Sequence, residues 1–342
     1  MVILRNIFSN CGLKNVTFYK VFCFIAIFCL IAVNADAQQS SGSVFKFLEL
    51  SGDARSAALG GSHAAFIEPQ SSQFTHNPAL LYASPTNELH LSYLNHISDI
   101  RFGTASYAHS VPDIGIFSAS IRFLNYGDMR NYDEFGTDLG SAAASDLAVT
   151  TGFSAALTEN LSYGLTASAI YSSLAGYQST ALAFSGGLLY RVPNRETSFG
   201  IYLNHAGTQL STYNGVSEPL PLNIAAGVVH RLQYIPVRLH LTLQRLNSWN
   251  LENANDSESP SFIENLSRHM LGGAEFLFGD RVTGRIGYDY WLHGQTQTGK
   301  RLDGAGLSLG IAIHLNRLTA DFSRTSFSDM GSVVQLGISL PM

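Results

Sequence analysis

Long segments of alternating apolar and small polar residues constrain the fold of this chain more than any other feature. In residues 161–169 the odd positions are leucine, tyrosine or alanine, and the even positions are serine, glycine or threonine. Related alternation recurs in residues 147–157, 237–244 and 307–315. A period of two predicts β-strands with one apolar face. Strands of soluble proteins usually have ~5–6 residues, whereas tilted strands that cross a membrane need ~9–11. The pattern therefore predicts an all-β transmembrane barrel.

The alternation divides the chain after residue 87 into fourteen predicted strands. They cover residues 88–96, 100–110, 114–124, 145–157, 161–173, 180–192, 197–206, 221–233, 236–246, 267–279, 282–292, 303–315, 316–327 and 333–341. Connections after the even-numbered strands are short, and most of those after the odd-numbered strands are long. Outer-membrane barrels have short periplasmic turns and longer extracellular loops. We therefore predict a 14-stranded antiparallel transmembrane β-barrel over residues 88–342, with both termini of the mature chain in the periplasm.

Residues 1–37 have the composition of a cleaved signal peptide. Three basic residues precede an apolar run at 21–33, and residues 35–37 match the A-x-A cleavage pattern. This run is short for a membrane helix, which needs ~20 residues. All three cysteines of the sequence lie in the same segment. The mature chain would therefore have no disulfide and no cysteine-based site.

Residues 38–87 differ from the barrel and predict a short N-terminal plug. The segment 53–61 is typical of a short helix that ends at glycine. Asn77 and Pro78 are typical of a helix start, with asparagine as the cap and proline in the first turn. A compact segment that precedes the first strand has a natural place inside the lumen. The residues that define the predicted plug motif are Arg55, Gly60, Gly61, Asn77, Pro78 and Ala79.

Three features together resemble known outer-membrane families: Ala-Arg-Ser-Ala-Ala-Leu-Gly-Gly at 54–61, His-Asn-Pro-Ala-Leu at 76–80, and the number of strands. The Asn-Pro-Ala element in an N-terminal hatch is similar to that of long-chain fatty-acid transporters of the FadL type. The whole mature chain resembles more closely the PorV/PorQ family of the type IX secretion system of Bacteroidota. Further short motifs resemble the PorQ branch, at residues 124–127, 207–210, 218–221 and 246–249.

The resemblance to the PorQ branch implies a non-enzymatic role in the cell-surface attachment complex. It implies that extracellular loops dock the surface component PorZ, in a complex with PorU and PorV and next to outer-membrane lipid and lipopolysaccharide. Aromatic side chains are favoured interface anchors, although an aromatic girdle at the membrane boundary would also explain Tyr126 and Trp249. The candidate docking residues in or beside the loops are Tyr126, Tyr132, Phe135, Tyr213 and Trp249. Two alternatives stay open: a FadL-like passive transporter of hydrophobic molecules, and a PorV-like cargo shuttle.

Motifs for catalysis, cofactors and metals are incomplete. Residues 294–300 have the spacing of a phosphate loop, but Arg301 follows where serine or threonine is needed. Residues 43–46 match S-x-x-K without its S-D-N or K-T-G partners. The eleven histidines form no H-E-x-x-H set, and a net charge of −5 argues against nucleic acid as a partner. We therefore predict no enzymatic activity, no cofactor and no metal site.

Overall fold

The structure is a computed structural model that describes residues 43–84, 87–95, 100–132, 135, 138–193, 196–253, 259–298 and 303–342. The predicted signal peptide lies outside these residues. So do parts of three predicted loops, at 133–134 and 136–137, at 254–258 and at 299–302.

Fourteen antiparallel strands form a closed barrel, as predicted. Each strand pairs with its neighbours in sequence, and the first strand pairs with the last, from Glu88 opposite Pro341 to Asn95 opposite Val334. The strands are β1 (Glu88–Asn95), β2 (Arg101–Val111), β3 (Gly115–Tyr132), β4 (Asp138–Ala156), β5 (Leu161–Leu174), β6 (Tyr177–Arg191), β7 (Thr197–Ser211), β8 (Asn223–Arg231), β9 (Val237–Leu243), β10 (Met270–Phe278), β11 (Val282–Asp289), β12 (Leu307–Leu315), β13 (Leu318–Ser326) and β14 (Ser332–Pro341).

Alternation sorts the strand residues onto two faces. In β5 the even-numbered residues from Ser162 to Ser172 are buried, and the odd-numbered residues between them face outward. Exposed apolar side chains form a belt around the outside, with Leu91, Phe117, Val149, Tyr171, Phe199, Leu239, Phe276, Ile286, Ile311 and Ile338 among its members. A continuous exposed apolar surface of this extent is typical of a barrel surrounded by lipid.

The wall is much taller on one side than on the other. β3 has 18 residues and β4 has 19, because both strands continue through the region predicted as a loop at 125–144. A register shift beside Gly127, whose φ is 72°, lets the hairpin extend. β9 has only 7 residues and β11 has 8. The predicted lengths of these four strands were therefore wrong.

Two helices replace residues predicted as strand, at 267–269 before β10 and at 290–292 after β11. Helix α2 (Phe262–His269) starts where the Ser261 side chain accepts a hydrogen bond from the backbone N–H of Glu264. Helix α3 (Tyr290–Thr296) starts where the Asp289 carboxylate accepts from the N–H groups of Trp291 and Leu292. Caps of this kind satisfy N–H groups that the first helical turn leaves unpaired, which ends β11 at Asp289. No helix in the described part of the chain is long and apolar enough to span a membrane.

The barrel has two different rims. At the short-turn rim, which holds the connections after even-numbered strands, the turns have no more than five residues, as at 232–236. At the long-loop rim, the connections 212–222, 244–269 and 290–306 are longer. Short exceptions on that side are the turn after β5, at 175–176, and the five-residue connections 96–100, 133–137 and 327–331.

Residues 43–84, the plug, lie inside the barrel. The predicted helix near residue 53 is present as α1 (Ala54–Ala58), capped by the Asp53 side chain, which accepts from the Ser56 N–H at 2.8 Å. The second predicted helix start forms a 3-10 helix, Pro78–Ala83, capped by Asn77. Helix α1 contacts β11 to β14, and the helix after Asn77 contacts β3 to β6. The plug therefore reaches across the lumen.

Candidate functional site: the plugged lumen

A buried ion cluster joins the plug to the barrel wall. Arg55 of helix α1 donates from Nε and Nη2 to the two carboxylate oxygens of Glu275, both at 2.8 Å. Arg285 donates to Glu275 Oε1 at 3.0 Å and also binds Asp321. Arg238 Nη1 lies 3.7 Å from Glu275 Oε2. Glu275 is 1% exposed, so its charge is balanced by these arginines and not by water.

Acidic residues of the barrel wall also bind residues 70 and 71 in the middle of the plug. Gln70 Nε2 donates to Asp321 Oδ2 at 2.8 Å, and the backbone N–H and hydroxyl of Ser71 donate to Glu88 Oε1 at 2.9 and 2.7 Å. Asp321 and Glu88 belong to β13 and β1. The polar lumen face that the alternation predicts is thus used to bind the plug.

The Asn77 side chain connects three parts of the chain. Its Nδ2 donates to the carbonyl of Ala64 at 2.7 Å and to that of Leu188 in β6 at 3.3 Å. Its Oδ1 accepts from the Ala79 N–H at 3.0 Å. Asn77 is fully buried, so each of these hydrogen bonds replaces one that water would otherwise supply.

The replacement Asn77→Ala should lower the free energy of unfolding by about 1–3 kcal/mol, because it leaves the buried carbonyl of Ala64 without its short donor. Cleavage of the plug by added protease, followed in detergent, would measure the loosening. The matched control is Asn214→Ala, which removes only an exposed turn contact to the Val216 N–H at 3.2 Å. Equal protection of the plug in both variants would contradict the role of Asn77.

Inward-facing glycines encircle the plug and let it approach the wall closely. We call this set the glycine girdle: Gly152, Gly164, Gly187, Gly200, Gly227, Gly273, Gly287 and Gly310. A Cβ at Gly164 would lie 2.2 Å from the carbonyl carbon of Pro78, and a Cβ at Gly287 would lie 1.9 Å from that of Leu59. Some of these glycines lie directly opposite each other on neighbouring strands: Gly164 pairs with Gly187, and Gly273 pairs with Gly287. Glycine at such positions permits close backbone approach.

Titratable groups of the plug are also buried. Burial and the nearby His240 lower the pKa of His63 to about 3, so its ring is neutral at physiological pH. Its two ring nitrogens lie 3.1 Å from Thr242 Oγ1 and from the Leu59 carbonyl. Burial alone would raise the pKa of Asp53, but the hydrogen bond and charge of His76 bring it well below its ordinary value. His63 thus links the plug to the wall, and Asp53 links two parts of the plug to each other.

An apolar cluster fills the lumen toward the long-loop rim. Phe45, Phe47 and Leu48 of the plug are at most 5% exposed. They pack among inward-facing apolar residues of the wall, which include Leu94, Phe102, Leu124, Ile170 and Val333. The inward face is therefore apolar at this level, although small polar residues alternate along strands such as β5. Side chains of the plug fill the space between these wall residues.

Two cavities lie on either side of the plug. One of about 770 Å³ opens toward the short-turn rim and is lined by charged groups such as Arg55, Glu68 and Arg238. The other, of about 380 Å³, lies toward the long-loop rim and is lined by polar groups such as His76 and Arg245. Helix α1 faces the first with Arg55 and the second with Ala57, so the plug separates them.

The structure divides the predicted docking aromatics into two groups. Tyr126 lies in β3 and not in a loop, and its hydroxyl donates to Asp146 Oδ2 at 2.7 Å. The Tyr213 hydroxyl donates to Ser172 at 2.5 Å, and its ring centroid lies 6.4 Å from that of Phe45. Both side chains therefore point into the lumen, which corrects their assignment as surface anchors.

The other three docking candidates lie at the long-loop rim. Phe135 is 92% exposed near the tip of the β3–β4 hairpin. Tyr132 ends β3, and its side chain lies outside what the structure describes. Trp249 is 45% exposed and stacks on His269 with ring centroids 5.1 Å apart. The plug-motif residues, in contrast, all belong to the plug inside the lumen.

Sequence reasoning missed the ion cluster and the glycine girdle. Arg55 and Glu275 lie 220 positions apart, so no local spacing links them. The glycines did carry a signal, because each falls at an inward position of its strand. Counting them strand by strand would have shown a ring of residues without side chains at one level of the barrel.

Comparisons with known proteins bear on the fold. No protein-family model matches the sequence, and no curated protein sequence matches it significantly. The toluene transporter TodX of Pseudomonas putida superposes with a TM-score of 0.56 at 16% identity, over 87% of this chain and 98% of TodX. The monoaromatic hydrocarbon channel CymD gives a TM-score of 0.56 at 14% identity, over 86% of this chain and 98% of CymD. At these identities the likeness concerns the architecture alone. The chain has the fold of the FadL-type 14-stranded outer-membrane barrels.

Proposed function

We propose that this protein is a non-enzymatic outer-membrane barrel that serves as a docking platform on the cell surface. In this proposal the long-loop rim is extracellular and the short-turn rim is periplasmic. The partner is PorZ of the type IX attachment complex. The observation that carries the proposal is the filled lumen, in which the plug is fixed to the wall by buried charges and close backbone contacts.

The plug is fastened at well-separated points around the barrel. Arg55 binds Glu275 of β10, Asn77 binds β6, and Phe47 packs in the apolar cluster. A path for solutes would have to break several of these contacts together. Removing one partner of a buried ion pair alone costs about 3–5 kcal/mol. A stable platform gains from such a rigid interior, whereas a channel does not.

The sequence motifs that resemble the PorQ branch lie at the end of the molecule that carries the proposed docking surface. Residues 207–210 form the end of β7, and residues 218–221 and 246–249 lie in long-loop connections. Residues 124–127 lie in β3 at the height where β2 begins at Arg101, which pairs with Asn125. All four motifs are thus at or next to the long-loop rim. Rigid barrels commonly carry their binding functions on such loops.

Site-specific photo-crosslinking in native membranes tests the proposal. A crosslinker at Phe135, on the tall hairpin, should capture PorZ, identified by mass spectrometry. The matched control is a crosslinker at Tyr234, which is 91% exposed in a turn of the short-turn rim and should not capture it. Capture of no type IX component, PorU and PorV included, would refute the proposal. Capture of the C-terminal signal domains of cargo proteins would favour a PorV-like shuttle.

A second candidate function is passive transport of hydrophobic molecules. The similarity of the fold to TodX and CymD favours it, as does the apolar cluster around Phe47. Transport would require the Phe45–Leu48 segment to leave this cluster. If the barrel is only a platform, cells with and without it should take up toluene equally fast. Uptake that depends on the barrel would establish transport instead.

A further inference from the structure

Helix α2 has its polar and apolar faces reversed relative to a helix that packs on a protein core. Asn265, Arg268 and His269 are at most 3% exposed. Phe262 is 67% exposed and Ile263 is 76% exposed. A helix on the surface of a soluble protein buries its apolar stripe and presents charged residues to water. Here the apolar stripe faces away from the barrel.

The buried polar face fixes this orientation. Asn265 Oδ1 accepts from the Leu251 N–H at 3.1 Å, and its Nδ2 donates to the Trp249 carbonyl at 2.5 Å. Arg268 donates to the Leu251 carbonyl at 2.5 Å. The His269 ring nitrogens lie 2.7 Å from the Gln244 carbonyl and 3.0 Å from the Trp249 carbonyl. Turning the apolar face inward would leave these buried groups unpaired, which is costly for each of them.

Trp249 extends the outward apolar face. Its ring centroid lies 5.7 Å from that of Phe262 and 5.1 Å from that of His269. The indole is thus held against the helix by rings on two sides, while 45% of the residue stays exposed. Helix α2 and Trp249 together form one surface, which we call the α2 patch.

The height of the neighbouring wall indicates what covers the α2 patch. β9 has 7 residues, which at ~3.4 Å per residue and a tilt of ~40° rise only about 18 Å. The apolar band of an outer-membrane barrel is ~25 Å tall. β9 therefore cannot span the band alone. The missing height lies at the long-loop rim, where β9 ends at Leu243, paired with Met270, and where α2 ends directly before β10.

The α2 patch also continues the outer belt of the barrel. Leu239 and Leu241 of β9 and Phe276 of β10 are exposed on the outward face below it. Helices with one apolar face that lie in a membrane interface commonly place aromatic residues at the level of the lipid headgroups. A water-exposed apolar patch at this place would be an aggregation hazard.

We infer that the α2 patch is embedded in the outer leaflet and replaces the missing end of β9 as lipid-facing wall. Its occupant is the acyl-chain region of outer-leaflet lipid just below the headgroups. The inference rests on the proposed outer-membrane location. It assigns Trp249 to lipid contact and not to docking of a protein partner.

Tryptophan fluorescence in lipid vesicles tests this assignment. The chain has two tryptophans, Trp249 and Trp291, so the Trp291→Phe variant of the full barrel reports on Trp249 alone. The variant is reconstituted in phosphatidylcholine vesicles whose acyl chains carry bromine near the headgroup end. Emission of Trp249 should be strongly quenched, and less so when the bromine lies near the chain terminus.

Two reference variants, built on a background without Trp249 and Trp291, calibrate the result. Leu241→Trp places the probe on the outward face of β9, where bromine should quench it. Phe135→Trp places it at the tall hairpin, where aqueous iodide should quench it and brominated lipid should not. Folding is checked for every variant by the heat-dependent shift in gel mobility and by circular dichroism.

The outcomes separate the inference from the proposed location. Quenching at both 241 and 249 by brominated lipid supports the inference. Quenching at 241, with Trp249 reached only by iodide, overturns it and leaves the membrane location intact; the α2 patch would then await a protein partner. Absence of lipid quenching at 241 in a folded barrel refutes the membrane location and the inference together.

Discussion

Replacing Glu275 with alanine is expected to release the plug from the barrel wall. Glu275 is the shared partner of Arg55, Arg285 and Arg238, with contacts from 2.8 to 3.7 Å. Its removal leaves the buried guanidinium of Arg55 without its counter-charge, whereas Arg285 keeps Asp321 and Arg238 keeps Glu68. Breaking a buried ion pair in this way costs about 3–5 kcal/mol. We expect a lower free energy of unfolding in detergent and rapid protease cleavage within residues 62–84.

Conductance provides a second measurement on the same variant. Wild-type barrels in planar bilayers should pass little current because the plug fills the lumen, whereas Glu275→Ala should pass more. The matched control is Glu196→Ala, which removes an exposed pair with Arg231 at 3.0 Å. Exposed pairs contribute about 0–1 kcal/mol, so this control should behave like the wild type. Equal stability and conductance of the two variants would show that the cluster does not hold the plug.

Adding a single methyl group at Gly287 is expected to push the plug away from β11. The new Cβ would lie 1.9 Å from the Leu59 carbonyl carbon and 2.2 Å from the Gly60 nitrogen. These are backbone atoms and cannot move aside as a flexible side chain can. Overpacking of this kind costs typically about 1–3 kcal/mol and occasionally more. Hydrogen exchange of residues 54–61 should accelerate, and the thermal midpoint should fall.

Gly272 offers the matched control for Gly287→Ala. It lies in the adjacent strand β10, opposite Tyr288, and a Cβ there would meet no atom within 4 Å. Gly272→Ala has the same change in backbone freedom without the clash. If it slowed or accelerated exchange of the plug as much as Gly287→Ala, the glycine girdle would have no specific role in seating the plug.

The barrel was predictable because its strand pattern is local. In β5, inward and outward residues alternate without interruption from Leu161 to Tyr171, and the neighbouring strands repeat the pattern. The caps of the plug were predictable for the same reason, since Asp53 and Asn77 each act within three residues of their own position.

The ends of the strands were harder to predict because capping side chains decide them. Asp289 continues the alternation of β11, yet its carboxylate starts helix α3. Tyr126 shows an error that the pattern itself could have prevented. Leu124 faces inward in β3, and a period of two therefore turns Tyr126 inward as well. Tyr126 was assigned to a loop because the predicted strand ended at residue 124, whereas β3 continues to Tyr132.

The ion cluster could not be predicted because its members come from the plug and from β10, β11 and β13. The β10–β11 hairpin places Glu275 opposite Arg285, and the sheet brings Asp321 of β13 within reach of Arg285. Alternation alone marks each of them only as a polar residue on the inward face of its strand. The strand register and the path of the plug decide which polar residues of the lumen form ion pairs. Local sequence patterns predict neither of them.

The seam between β1 and β14 has a consequence for assembly. The plug hydrogen bonds to both seam strands, through Ser71 to Glu88 of β1 and through the Ser51 carbonyl to Gln335 Nε2 of β14 at 3.1 Å. β1 and β14, which close the barrel, are its first and last strands. The plug precedes both of them in the chain. Contacts over such sequence separations form late because loop closure costs entropy. A plug already in place would bring the two edge strands together, so that the barrel closes around its own N-terminal segment as a template.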